Sequence, residues 1–274
     1  MTASRGRFWV DGHCHLDLLP PAEIPAVLAR ARAAGVAQLI LAGVDPAGWE
    51  VQRGLAAAHP GLFRTAGLHP WAAVARAAGV SADTSPLDAD LEALTSTLMQ
   101  APRPVAIGEL GLDHLRTPMA GRVVEEAAFR AQLALARERD LPVVLHVVQA
   151  HGRALEILRA DGLPRRGGVV HGFSGSAEVA LAYVRLGLHV GIGFVVHRTH
   201  AKKVKAAVAA LPLGRIILET DAPAEAPPGA EGASEPAHLV GIAEAVAALR
   251  GAQAEALLDA SSENARALYG LPVG

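Results

Sequence analysis

The chain has 274 residues, 51% of them hydrophobic but only 4% aromatic, and a formal net charge of −2. That supplies a large, mainly aliphatic core and excludes a histone-like protein that grips nucleic acid by bulk electrostatics. Cys14 is the only cysteine, which excludes a disulfide framework and points to a reducing, cytoplasmic setting. Met1 to Arg7 is too short and polar for a signal peptide. No run approaches the roughly 18 apolar residues of a membrane span, so a soluble protein with no membrane partner is expected.

Short β-rich runs alternate with Ala-rich helical runs along the chain. The first strand is predicted over Phe8 to Asp11, followed by a helix opening at Pro21-Ala22-Glu23 and closing at Gly35. Val36 to Ala42 reads as a second strand, Pro46 to His59 as a helix and Leu62 to Gly67 as a third strand. Ala72 to Pro86 shows no clear period and is read as mostly loop with room for a short helix. Leu87 to Gln100 is helical, and Val105 to Gly108 is a fourth strand. Glu125 to Arg139 carries Phe129, Leu133 and Ala136 on one face of a helix. Leu141 to Leu145, almost wholly apolar, is a fifth strand covered on both faces.

A helix over Gly152 to Asp161 leads to a sixth strand, Gly168 to Val170, and Ser176 is placed to cap the next helix. His189 to Gly193 is a seventh strand, Lys202 to Leu211 a helix and Arg215 to Glu219 an eighth strand. The Pro- and Gly-rich stretch Ala222 to Pro236 reads as loop, and helices over Ala237 to Leu249 and Ala252 to Ala260 finish the chain. Eight strands alternating with helices, at a length near the ~250 residues of such barrels, predict one α/β domain over 1–274. The expected architecture is a (β/α)8 TIM barrel. An open doubly wound sheet would want a glycine-rich turn after the first strand, where His13 and His15 stand instead.

Barrels place their chemistry at the C-terminal strand ends. Those ends carry His13 and His15 on strand one, His69 on strand three, Glu109 on strand four, His146 on strand five, His171 on strand six and Asp221 on strand eight. His13 and His15, two apart on an extended chain, share a side and can converge on one cation. Four histidines and two carboxylates exceed the needs of one ion with an open position. Two divalent ions, with Glu109 bridging them and Asp221 orienting or deprotonating a water, would serve hydrolysis of a phosphate ester or of a carbonyl compound. Histidine-rich ligation favours the Zn, Mn or Fe class.

Six ordered motifs carry a family resemblance. They are His13-Cys14-His15-Leu16-Asp17, Gly67-Leu68-His69-Pro70, Gly108-Glu109-Leu110-Gly111-Leu112-Asp113, Leu141-Pro142-Val143-Val144-Leu145-His146, His171-Gly172-Phe173-Ser174-Gly175 and Glu219-Thr220-Asp221-Ala222-Pro223. From about residue 10 to 270 the chain resembles the TatD family of metal-dependent deoxyribonucleases, and within it a divergent subgroup. Ser234-Glu235-Pro236-Ala237 and Asn264-Ala265-Arg266-Ala267-Leu268 resemble that family's closing motifs.

The resemblance implies a barrel of the metal-dependent hydrolase type and hydrolysis of DNA phosphodiesters, with 3'-to-5' action on single strands or ends as one mode. It implies His13, His15, Glu109 and Asp221 around one ion, Glu109, His146 and His171 around the other, and His69 at the substrate phosphate. It implies activity with Mg or Mn. The chain departs from the pattern at Val147-Val148-Gln149, at Trp71 after the Gly-x-His-Pro motif, and in the loop Gly193 to Arg198. A hydrolase of lactones, amides or aminoacyl esters is the alternative on the same scaffold.

Outside the motifs, Trp71 could stack a base or simply pack. His197, Arg198, His200 and Lys202, Lys203 and Lys205 could meet phosphates or form a solvated rim. Asp113 could cap a loop or orient a histidine from behind. The apolar positions of the outer helices are accounted for by barrel packing, so a monomer is expected.

Overall fold

The computed structural model describes residues 8–78, 86–224 and 232–273. Strands β1 (Trp9–Cys14), β2 (Val36–Leu41) and β3 (Leu62–Arg64) form one parallel ladder. Strands β4 (Ile107–Asp113), β5 (Val143–Val148), β6 (Gly168–His171), β7 (His189–Ile192) and β8 (Ile216–Leu218) form a second. Single parallel bridges, Ala66 to Ile107 and Cys14 to Ala222, join the two ladders into a closed (β/α)8 barrel.

The helices are α1 (Ile24–Ala33), α2 (Pro46–Ala58), α3 (Pro70–Ala78), α4 (Pro86–Leu98), α5 (Arg122–Arg139), α6 (His151–Asp161), α7 (Ala177–Arg185), α8 (Lys202–Ala210), α9 (Leu239–Arg250) and α10 (Ala254–Tyr269). Every residue of β1 and β4 is buried, as strands with a filled barrel inside and helices outside require. Inside the barrel, Val10, Ile40, Ala106, Val144, Val169 and Ile217 pack against Leu268, Tyr269 and Leu271.

Several boundaries differ from the sequence reading. β1 runs three residues further, to Cys14, because its end pairs across the seam: His15 N–H donates to Ala222 O and Asp221 N–H to His13 O. β4 runs on to Asp113, following β5 out to Val148 with a register shift between Gly108 and Leu110, so Glu109 sits inside a strand at that irregularity. Residues 70–78 form helix α3, longer than the short helix allowed within the expected loop; positions 79–85, like 225–231 of the later predicted loop, lie outside the described residues. α10 extends to Tyr269, past the predicted end at Ala260, through Ser261, Ser262 and Asn264.

Those polar residues dock α10 onto the barrel seam. Ser262 Oγ accepts from Val10 N–H of β1 at 3.0 Å, Ser261 Oγ accepts from Leu218 N–H of β8 at 2.7 Å, and Trp9 Nε1 donates to Asp259 at 2.8 Å. The seam is sewn from within by Asp11, which is fully buried and accepts from Thr220 N–H at 3.0 Å, Thr220 Oγ at 2.5 Å and His13 N–H at 3.3 Å. No helix among the described residues is long and apolar enough to cross a membrane.

Removing a buried acceptor leaves its donors without partners. Asp11→Ala is therefore expected to destabilise the fold by about 2 to 3 kcal/mol in urea unfolding, with circular dichroism of the native state unchanged.

Candidate metal centre

Glu109 stands at the centre of the C-terminal mouth, 2% exposed, with its two oxygens facing different groups. Oε1 lies 3.3 Å from His15 Nε2 and 3.5 Å from His13 Nε2. Oε2 lies 2.7 Å from His171 Nε2, 3.3 Å from His146 Nδ1 and 3.9 Å from His69 Nε2. Asp221 Oδ1 closes the first group at 3.3 Å from His15 Nε2 and 3.7 Å from His13 Nε2. All seven residues singled out at strand ends thus meet in one mouth.

Main-chain geometry holds them there. Glu109 N–H donates to Gly43 O at 2.6 Å, and Gly108 N–H to Ala66 O at 3.0 Å. The approach at this seam excludes side chains: a Cβ on Gly67 would stand 2.6 Å from the Gly108 carbonyl carbon. Asp221 has φ of 54°, a left-handed conformation that aspartate tolerates better than most residues, and this turns its carboxylate back over the mouth.

The donor set fits divalent cations. Ligand atoms about 2.1 Å from an ion stand on the order of 3 to 3.5 Å from one another, as tetrahedral and octahedral edges require. The spacings around both Glu109 oxygens match, including His13 Nε2 to His15 Nε2 at 3.3 Å and His146 Nδ1 to His171 Nε2 at 3.0 Å. His13, His15 and Glu109 form one candidate ligand group, His13, His171 and Asp221 another, and His69, Glu109 and His146 a third.

Protonation divides the histidines. Burial, aided by the charge of His171, lowers His13 to about 4, and burial lowers His69 to about 3. Burial also opposes the charged form of His15, but the hydrogen bond to Asp221 and the charges of Glu109, Asp221 and Asp17 outweigh it and raise it to about 9. His146 rises to about 9 because Asp113 and Glu109 outweigh its burial. Burial works against an ionised Glu109, yet the surrounding imidazoles hold its carboxyl well below the usual range. Asp221 is likewise held down, by His15, His13 and His171, against its burial.

Behind the mouth, His146 turns its Nε2 to Asp113 Oδ2 at 3.4 Å, the orienting role open to Asp113 in the sequence. Asp11 and Glu219 carried no assigned role in the sequence. They lie two residues before His13 and Asp221, Asp11 within β1 and Glu219 just past the end of β8. Their spacing from the two predicted ligands was the signal for them. Burial raises Asp11 to about 7 and Glu219 well above the carboxylate range. Glu219 accepts from Gly172 N–H at 2.5 Å and lies 3.9 Å from His171 Nδ1. Trp71, Arg116 and Arg198 line the mouth, whereas Lys202, Lys203 and Lys205, read from the sequence as either phosphate contacts or a solvated rim, stand on α8 beyond its lining.

Comparison with known proteins gives the family and the fold. The family model described as TatD related DNase matches residues 10–270. The 3'-5' ssDNA/RNA exonuclease TatD of Enterobacter lignolyticus (strain SCF1) is 38% identical over 258 residues, covering 90% of this chain and 92% of that one. The uncharacterized metal-dependent hydrolase YjjV of Escherichia coli (strain K12) is 34% identical over 268 residues, covering 96% and 98% respectively. The YjjV crystal structure superposes with a TM-score of 0.85 at 33% identity, over 97% of this chain and 99% of that one.

Ligation requires neutral imidazole, whereas His15 and His146 hold protons at neutral pH. Both pKa values are raised, so the protons are present below about 9 and gone above it. Adding Mn or Zn to metal-free protein at about pH 7 should release about two protons per chain, read by an indicator in weak buffer. Release should fade towards about pH 10, and metal uptake without it at pH 7 would contradict this charge assignment.

Proposed function

The chain belongs to the TatD related DNase family, and on that footing we propose a divalent-metal-dependent nuclease that cleaves DNA from 3' ends or in single strands. In this reading it acts as a cytoplasmic monomer. The observation that carries the reading is the division of the Glu109 carboxylate, one oxygen towards His13, His15 and Asp221 and the other towards His146 and His171. His13, His15, Glu109 and Asp221 would hold one cation and Glu109, His146 and His171 a second, Mg or Mn for activity with Zn also suited to the nitrogen donors. Two such cations supply Lewis acidity for an in-line displacement at phosphorus.

The remaining work falls to side chains. Asp221 Oδ1, ionised and partly open to the cleft, is placed to orient the attacking water and take its proton. His69 has a fixed tautomer: its Nδ1 accepts from Trp71 N–H at 3.3 Å, which leaves the ring proton on Nε2, and burial keeps the ring neutral. A protonated Nε2 donates and does not ligate. This separates His69 from the ligand set despite its distance and suits it to a non-bridging phosphate oxygen whose charge grows in the transition state. Arg116 and Arg198 on the cleft walls add cationic contacts for neighbouring phosphates.

The test is a panel of single-stranded DNA, duplex DNA, RNA, lactones and aminoacyl esters with the metal-loaded protein. Shortening of single-stranded DNA from its 3' end is expected, and turnover of a carbonyl substrate with intact DNA would overturn the reading. Glu109→Ala and Asp221→Ala should each abolish turnover in a folded protein, and metal analysis should approach two ions per chain at saturation. His69→Ala should lower kcat by about 10²-fold or more, as loss of one donor to a developing oxyanion does, with partial recovery in His69→Gln.

A further inference from the structure

The cleft over the metal centre is about 660 Å³ and is not uniform. On the side of β1, β2 and β3 its wall holds three exposed apolar side chains: Leu18 at 66%, Val51 at 51% and Trp71 at 40%. The other two tryptophans, Trp9 and Trp49, are buried at 6% and 2%. Trp71 is fixed in place. It is the second residue of α3 after Pro70, and its ring centroid lies 4.8 Å from that of His69, tilted by 48°. One part of the indole rests on the imidazole while the rest is open to the cleft.

The same wall carries the carboxylates of Asp17 and Asp45, each anchored locally, Asp17 by Gln52 Nε2 at 2.9 Å and Asp45 by Gly48 N–H at 2.8 Å. Among the described residues lining this cavity, Arg116 is the only Lys or Arg. A second lobe of about 310 Å³ opens on the other side of His146, His171 and Asp221, and its lining includes Arg198 and Ser174 together with Glu219 and Asp221. Asp17 and Asp45 disfavour phosphate at the first wall and Arg198 offers it a cation in the second lobe, whereas a flat, uncharged ring gains from the first wall by leaving water.

We propose that the Trp71 side of the cleft is a nucleobase subsite, in which the base next to the cleaved phosphate stacks on the indole between Leu18 and Val51 while the rest of the strand leaves past Arg198. The proposal rests on the nuclease reading and deepens it, because a base stacked on Trp71 cannot at the same time pair and stack within a duplex. The subsite therefore selects single strands and frayed ends by the base's face, with little preference for its identity.

Steady-state kinetics on single-stranded DNA gives one test. Loss of an aromatic platform should make Trp71→Ala raise KM about tenfold with a much smaller change in kcat, and Trp71→Phe should restore most of it. With an abasic residue at the 3' terminus, wild type and Trp71→Ala should have the same KM. A second readout needs no turnover. A deoxynucleoside monophosphate should quench the fluorescence of metal-free wild-type protein but not of Trp71→Phe, and inorganic phosphate should quench neither. An unchanged KM in Trp71→Ala, or an equal rise for abasic and base-bearing ends, overturns the subsite while the nuclease reading stands. Quenching without any cleavage of DNA would overturn the nuclease reading and leave the aromatic subsite.

Discussion

The structure depends on how the barrel closes. Its two ladders meet at two seams, each sealed by a single bridge and a few main-chain hydrogen bonds. At one seam Asp221 N–H reaches His13 O and His15 N–H reaches Ala222 O; at the other Glu109 N–H reaches Gly43 O. Asp221, His13, His15 and Glu109 belong to the candidate metal centre. Closing the sheet and gathering the donors are one event, so the geometry of the centre is set by main-chain bonds rather than by flexible side chains. Such rigidity suits a site in which ångström errors in donor position are costly.

The electrostatics follow from the same closure. Packing five imidazoles and two carboxylates into one mouth removes most of the water that would screen them. Burial prevails at His13 and His69 and keeps them neutral, whereas carboxylate neighbours prevail at His15 and His146 and keep them charged. Behind them, burial outweighs the hydrogen bonds to Asp11 and Glu219 and pushes both towards the protonated form. Carboxyls with lowered pKa values face the mouth, and carboxyls with raised ones brace the wall behind it. Braced acids of this kind act as hydrogen-bonding pegs, Asp11 to Thr220 and His13 and Glu219 to Gly172.

Much of this was legible in the sequence because one rule, chemistry at the C-terminal strand ends, mapped seven side chains onto one face. His13, His15, His69, Glu109, His146, His171 and Asp221 all arrive where that rule sends them. What stayed hidden is tertiary in origin. The ends of β1 and β4 are decided by partners far along the chain, so local apolar runs stop short of them. Ser261, Ser262 and Asn264 lie past the predicted end of the last helix, and Leu218, Val10 and Ile216 supply the groups they bond. Asp113 reads equally as a loop cap and as a support for a histidine, and it does both, accepting from Leu115 and Arg116 N–H as well as facing His146.

His69 and Trp71 bring the catalytic and recognition sides of the cleft together. One residue supplies the main-chain N–H that fixes the histidine's tautomer, and the same residue's indole rests against that histidine's ring. Because α3 starts at Pro70, the positive end of the helix lies beside His69 and further disfavours its protonation. A ring pressing on the exposed side of Trp71 would therefore bear on a residue already tied to His69, the proposed donor to phosphate. In the proposed arrangement the contact that would recognise a base would also exclude water from the flank of His69, so binding and positioning would draw on the same few atoms.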